Sequence, residues 1–276
     1  MGNKEKQQRT TEQLRNHFEV ERELAGRLRN SSRGERPSLF PVLYDELFER
    51  VPDHPRLVRR DAPEKSSVAV AARLRLLQPH LDCGFKFLEF AAGDCRLAYE
   101  VCSLVENVIA VDISDQRSSA DIVPDNFSLI IYDGYNLDVP DVSVDIVFSY
   151  QFLEHLHPED VGSHFENAAR VLKEGGMYVF DTPHRFSGPH DISRHFGNKL
   201  ECFHFQEWTY REMFELLNRH GFSCNYIYAG GEVRKGSFLN GLCRLTERLV
   251  AMLPRRLSKI VSARVFRSVT MMAVKG

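Results

Sequence analysis

Apolar residues recur at helical spacing from Leu14 to Leu28 (Leu14, Phe18, Val20, Leu24, Ala25, Leu28), again from Leu39 to Val51, and again from Ser67 to Leu77. Asn30-Ser31-Ser32-Arg33-Gly34 breaks the first of these helices, and Pro52-Asp53-His54-Pro55 stops the second. The polar residues 1–12 predict a frayed end. From Phe85 the pattern changes to short apolar runs separated by turns. Strands are predicted at Phe85–Phe90, Val108–Asp112, Leu129–Asp133, Ile146–Tyr150, Met177–Asp181, Cys224–Tyr228 and Val269–Val274, with helix-length segments between the early ones. That alternation predicts an α/β fold, a seven-stranded, mostly parallel sheet with helices on both faces. The boundaries expected are a helical cap over 1–66 and a sheet domain over 67–276, with a helical insertion at 233–268 before the last strand. Within the insertion, Phe238, Leu242, Leu245, Leu249 and Met252 fall on one helical stripe.

Charge sharpens this division. The 276 residues carry 36 Lys+Arg against 38 Asp+Glu, a net −2. Residues 1–80 hold 16 basic and 12 acidic side chains, residues 81–232 hold 10 and 25, and residues 233–276 hold 10 and 1. A near-neutral total therefore hides an acidic middle and a basic tail. Hydrophobic residues at 43% exclude wholesale disorder. No apolar run reaches the ~18–20 residues of a spanning helix. The start lacks a signal-peptide core, and Lys6 stands where a myristoylation signal wants Ser or Thr. The six cysteines form no Cys-x-x-Cys pair, which argues against a zinc ribbon and for a reducing, cytoplasmic setting.

In an open parallel sheet, ligands sit beyond the carboxyl ends of the strands. Three of those ends carry carboxylates. Glu89 precedes the small-residue turn Ala91-Ala92-Gly93-Asp94-Cys95, where backbone N–H groups can approach a ligand or simply join strand to helix. Asp112, 23 residues on, stands where a ribose would be held or a helix capped. Asp133-Gly134 can face an amine and a ring, or form an ordinary turn.

These three ends, with Ser143–Ser149 and the run Arg170-Val171-Leu172-Lys173-Glu174-Gly175-Gly176 before Thr182-Pro183-His184, resemble the class I S-adenosylmethionine-dependent methyltransferases. The resemblance covers roughly residues 67–232 and the last strand, 269–274. It implies a Rossmann-like fold and S-adenosylmethionine as cofactor. Glu89, Ala91 and Gly93 would hold the methionine part, Asp112 the ribose, and Asp133 with Gly134 the adenine. Tyr150 and Gln151 would line the end near the transferred methyl. The family's Gly-x-Gly-x-Gly keeps only its middle glycine here, so a positive φ at Ala91 or Cys95 would be strained.

A hydroxyl acceptor needs its proton removed, which directs attention to histidine. Eight of the 11 lie between 155 and 220. Gln151-Phe152-Leu153-Glu154-His155 resembles the Glu-x-x-Glu-His segment of ubiquinone-biosynthesis O-methyltransferases. That resemblance suggests a divalent metal, but the first carboxylate is an amide here and no metal is assigned. His155 is either a base or a helix-start residue tied to the backbone, and His157 reads as a surface residue. The loop from Thr182 to Phe196 offers His190 beside Asp191 as a base and its orienter, with His184 as a further candidate; the alternative is that these groups only pin the loop. His204 and His220 read as structural. Thr209 and Glu212 predict a capping box, and Trp208 either covers the pocket or staples the helix.

The basic segment 238–267 has three readings: packing on the domain with a solvated basic face, peripheral contact with an anionic membrane, or binding of a partner or anionic substrate. No aromatic interleaving points to nucleic acid. The activity expected is methylation of a hydroxyl on a sugar, glycan or other small metabolite. The rivals are a non-catalytic cofactor-binding scaffold and a nicotinamide oxidoreductase, the latter disfavoured by the missing Gly-x-Gly-x-x-Gly.

Overall fold

The computed structural model describes residues 9–60, 63–229, 231–234 and 236–276. Residues 1–8 of the polar start lie outside the described residues. Residues 9–12 are ordered rather than frayed, because Thr10 forms a reciprocal capping box with Gln13. It opens α1 (Thr11–Arg29), which α2 (Arg36–Arg50), α3 (Pro55–Arg60) and α4 (Pro63–Leu77) follow. Val20, Leu24 and Leu28 of α1 meet Leu43, Leu47 and Val51 at the α1–α2 interface in a small core of their own. Phe203 enters that core and stacks on Tyr44, with ring centroids 5.0 Å apart. Arg36 ties the cap to the sheet domain. Its buried guanidinium donates to both Asp160 oxygens at 2.9 Å and also meets Glu159.

The sheet domain runs β1 (Lys86–Phe90), α5 (Arg96–Cys102), β2 (Asn107–Asp112), β3 (Phe127–Ile131), β4 (Val144–Tyr150), α6 (Val161–Val171), β5 (Leu172–Pro183), α7 (Tyr210–Arg219), β6 (Phe222–Ala229), β7 (Glu232–Arg234), α8 (Ser237–Ala251), α9 (Arg255–Val265) and β8 (Ser268–Lys275). The sheet order is β3-β2-β1-β4-β5-β8-β6-β7. Strands β1 to β5 pair in parallel, and β8 runs antiparallel between β5 and β6. Side chains alternate across the sheet: Phe87 packs on one face, while Leu88 and Phe90 pack on the other.

Each predicted strand has a counterpart. The described residues add an eighth, β7, which pairs with β6 across a turn where Gly231 has φ +84°. The helix-length segments after β2 and β3 do not form helices. There, side chains bond nearby backbone: Asp115 takes the Arg117 N–H, Asp121 the Ser118 N–H, and Asp133 those of Tyr135 and Asn136. Such local bonds compete with the helical ladder.

Helices α8 and α9 lie between β7 and β8. Their apolar stripe is turned outward. Cys243 and Val250, on the opposite side of α8, enter the main core instead. A third inward residue, Glu247, is the only acidic side chain of residues 233–276. It accepts the N–H groups of Tyr210 and Arg211 at the start of α7, and lies 2.8 Å from His184 Nε2.

Candidate active site

A cavity of about 490 Å³ opens where β1 and β4, neighbours in the sheet, lead to opposite halves of the fold. This is the position at which an open α/β sheet leaves a crevice. Its floor is the strand ends. Its roof comes from the cap, through Glu21, Tyr44, Phe48, His54 and Arg56.

The turn after β1 adopts left-handed backbone at alternate positions, with φ +54° at Ala91, +58° at Gly93 and +59° at Cys95. Each such non-glycine residue costs about 1–3 kcal/mol. The three-glycine geometry is thus kept although two glycines are gone. Gly93 donates its N–H to Asp112 Oδ2 at 2.7 Å, and the other Asp112 oxygen takes the Ile113 N–H at 2.8 Å. Glu89 is only 2% exposed, and its Oε2 has no hydrogen-bond partner. Burial pushes this carboxyl up to about 8, against the pull of Arg73. The Arg73 guanidinium also lies over the Tyr150 ring, 4.8 Å from its centroid. Gln151, with φ +51°, donates to Asp181 Oδ1 at 2.6 Å.

The structure brings Glu89, Ala91, Gly93, Asp112, Gly134, Tyr150, Gln151, His155 and His190 to this cavity. Two predicted residues are not there. The Asp133 carboxylate is engaged by the Tyr135 and Asn136 backbone and by the Asn136 amide, and Tyr132 and Tyr135 line the cavity beside Gly134. His184 is fully buried away from the cavity. It is held by Glu247, Ser262 and a ring stack on Phe266. It anchors the insertion and does not face an acceptor.

Other expectations need correction. His157 is buried, not at the surface, and its Nε2 lies 3.4 Å from the Arg29 carbonyl oxygen. Trp208 is buried as well and donates to the Leu153 carbonyl at 3.4 Å, so it staples rather than covers. His204 lines the cavity. Asp191 does not orient His190, because it caps the Ser193 N–H. The orienting carboxylate is Glu207. It lies 3.1 Å from His190 Nδ1 and 3.1 Å from His204 Nδ1, and also accepts the His190 N–H at 2.7 Å.

The electrostatics divide the histidines. Burial raises the Glu207 carboxyl, but its bonds to His190 and His204 outweigh this and bring it down to about 2. Burial lowers His204, but Glu207 and the nearby Glu154 and Asp191 hold its net shift upward. His155 is driven well below the ordinary histidine range by burial and then by the charge of His204, whose ring lies 4.9 Å away. His155 Nδ1 is 3.0 Å from the Phe203 carbonyl oxygen. A carbonyl can only accept, so Nδ1 carries the proton and Nε2 keeps a lone pair. Glu154 is fully buried with Oε1 unpartnered, and burial pushes it up to about 7. With His155 and His204 it forms a cluster whose ligand atoms lie within 4.8 Å of one another and could hold a metal.

Nothing in the sequence pattern marked Glu207, Glu21 or His54 as site residues. The signal available for Glu207 was its place just before the Thr209 capping box, at the mouth of the loop that precedes α7.

Residues 88–180 match the family model described as a methyltransferase domain. A Mycolicibacterium smegmatis protein named "Probable S-adenosylmethionine-dependent methyltransferase" is 31% identical over 145 residues, covering 52% of this chain and 54% of that relative. The match thus spans about half of that relative's length. A Mycobacterium tuberculosis protein of the same description is 28% identical over 62% of this chain and 70% of its own. Among solved structures, an S-adenosylmethionine-dependent methyltransferase from Archaeoglobus fulgidus superposes with a TM-score of 0.51 at 16% identity, covering 76% of this chain and 94% of that one. A geranyl diphosphate C-methyltransferase from Streptomyces coelicolor superposes at 0.50 and 16%, covering 81% and 85%. Residues 88–180 thus match a methyltransferase domain, and the chain is similar in sequence to proteins described as probable S-adenosylmethionine-dependent methyltransferases and in fold to solved methyltransferases.

Proposed function

We propose that this protein transfers a methyl group from S-adenosylmethionine to a hydroxyl of a sugar, glycan or other small metabolite. The residues present fit that cofactor. Glu89 Oε2 is a buried, unpartnered acceptor beside the cavity, suited to an ammonium group. Asp112 stands at the end of β2, where ribose hydroxyls can be taken. The left-handed turn at 91–95 lines the cavity with small residues, and the Arg56 guanidinium lies close over Gly93, 3.4 Å from where a Cβ would stand. Tyr132, Gly134 and Tyr135 provide the surface for a ring. When bound, the cofactor supplies a methyl on a sulfonium, which passes to an acceptor lone pair by in-line displacement.

The observation that carries the hydroxyl reading is the state of His155. Burial disfavours its protonated form, and with Nδ1 3.0 Å from the Phe203 carbonyl oxygen its Nε2 is the nitrogen left to accept a proton, on a residue that lines the cavity. As the new C–O bond forms, the hydroxyl proton needs such an acceptor. His155 takes it at Nε2. Glu207 bonds the His204 ring and the His190 backbone N–H, and its carboxylate lies 3.1 Å from the His190 ring. The cap supplies a roof that limits water and presents polar Glu21 and His54 to a polar acceptor.

Titration calorimetry with S-adenosylmethionine, followed by transfer of labelled methyl to a panel of sugars, glycosides and amines, tests this reading. Binding together with label on a hydroxyl is the expected result. Absence of binding at high micromolar cofactor would favour the scaffold reading, and label confined to amines would reject the hydroxyl.

A further inference from the structure

The α8–α9 hairpin presents a surface that the sheet domain does not use. On α8, Phe238 is 79% exposed and Met252 82% exposed, with Leu242, Leu245 and Leu249 between them also exposed. The stripe continues past the turn through Leu253, Leu257 and Ile260 to Val265. An amphipathic helix packed on a domain ordinarily turns such a stripe inward. Here the inward side is taken by Cys243, Glu247 and Val250, so the apolar stripe is left to the outside. Exposed apolar area of this extent marks an interaction surface.

The charge around the stripe selects its partner. Arg244, Arg248, Arg255, Arg256, Arg264 and Arg267 are exposed on the same two helices and at their end. Glu247 is buried, so no acidic side chain of residues 236–276 reaches solvent to offset them. We propose that the α8–α9 hairpin docks on an anionic lipid bilayer, its apolar stripe in the headgroup–acyl boundary and its arginines among the phosphates. This combination of apolar stripe and flanking bases is what an interfacial helix requires. A second copy pairing hairpin to hairpin is a poorer occupant, because the two hairpins would bring the same bases together with no exposed acid of residues 236–276 to pair them. Among the described residues no helix is long and apolar enough to cross a membrane, so the hairpin lies on the surface.

The docked element reaches the cavity through short bonds. Ser187 Oγ lies 3.0 Å from the His184 carbonyl oxygen, 3.2 Å from that of Phe266 and 3.2 Å from His190 Nε2. His184 lies 3.3 Å from Ser262 Oγ of α9. The loop that delivers His190 is therefore built against the hairpin.

Flotation of the full chain with vesicles tests the proposal. Vesicles of equal parts phosphatidylcholine and phosphatidylglycerol should bind it at least about tenfold better than phosphatidylcholine alone, and added salt should erode that preference. The double substitutions Phe238→Ser with Met252→Ser, and Arg248→Gln with Arg256→Gln, alter only exposed side chains. Each should lower binding about tenfold while circular dichroism stays unchanged. No binding to either vesicle would overturn the proposal. So would a dimer in light scattering that the Phe238→Ser, Met252→Ser pair dissolves, since the stripe would then belong to a second copy. Equal binding to both vesicles, unaffected by the arginine substitutions, would remove the anionic requirement and with it the proposal as stated.

Discussion

Gly188 and Glu207 approach so closely that a Cβ at position 188 would overlap Glu207 Oε2. The carboxylate that holds two cavity histidines is thus seated against bare backbone. A methyl there must push Glu207 aside. Gly188→Ala is expected to lower turnover by about tenfold or more while leaving the cofactor dissociation constant within about twofold. Steady-state kinetics beside calorimetry checks this. An equal loss of cofactor affinity would show that the effect is general misfolding.

Glu207 also sets an acid limit on the fold. Its carboxyl is held at about 2, down from 4.5. A depressed carboxyl stabilises the native state above its unfolded value, and that contribution disappears as pH falls from 4.5 towards 2. The thermal midpoint should therefore drop across that window, and Glu207→Gln should flatten the drop. Identical pH profiles for the two proteins would remove Glu207 as its source.

Glu89 titrates in the opposite direction. At about 8, its carboxyl is mostly protonated at pH 7 in the free protein. A bound cation favours the ionised form, so cofactor binding should release about one proton. Calorimetry in phosphate and in Tris, which differ in ionisation enthalpy, reads that proton directly. Glu89→Gln should abolish the difference between buffers, and adenosine, which lacks the ammonium, should show none. A wild-type heat that does not depend on the buffer would reject the role.

His155, His190 and His184 should separate kinetically. His155→Ala is expected to reduce turnover about a hundredfold, and His190→Ala by less, with cofactor affinity retained in both. His184→Ala should act on stability, because it removes a fully buried ring bonded to Glu247 and Ser262. A His184 variant of normal stability and lost turnover would reverse this assignment.

Arg36→Met removes one partner of a buried ion pair and leaves Asp160, among the described residues, with the Tyr135 hydroxyl as its side-chain donor. The expected cost is about 3–5 kcal/mol in urea denaturation. A change below about 1 kcal/mol would mean that the cap is held by its apolar contacts instead.

The strands were legible because each is a short apolar run with a turn at its end, a pattern that local sequence carries in full. The place of Asp112 on the cavity wall was legible for the same reason: it follows from a strand end and a fixed distance from Glu89. Glu207 and His204 were not, since they matter only because a loop folds Gly188 and His190 back onto them. Asp133 looked equivalent to Asp112, and both accept backbone N–H groups, but the turn that Tyr135 and Asn136 make on Asp133 leaves it off the cavity wall that Asp112 lines. The stripe on α8 was visible as a stripe. Periodicity reveals that a helix has two faces, and it does not say which one the sheet will accept. The face accepted carries Cys243 and Val250 in the core and Glu247 bonded to the start of α7.

Glu247 gives the insertion the character of a cassette with a plug. The socket is the start of α7 together with His184, both parts of the sheet domain. A transplanted α8–α9 hairpin would seat only in a host that offers a histidine after β5 and open N–H groups at α7. Conversely, removing the hairpin from this chain would leave His184 without its carboxylate and α7 without two of its terminal acceptors. Exchange of this element between relatives therefore has to carry both halves of the joint.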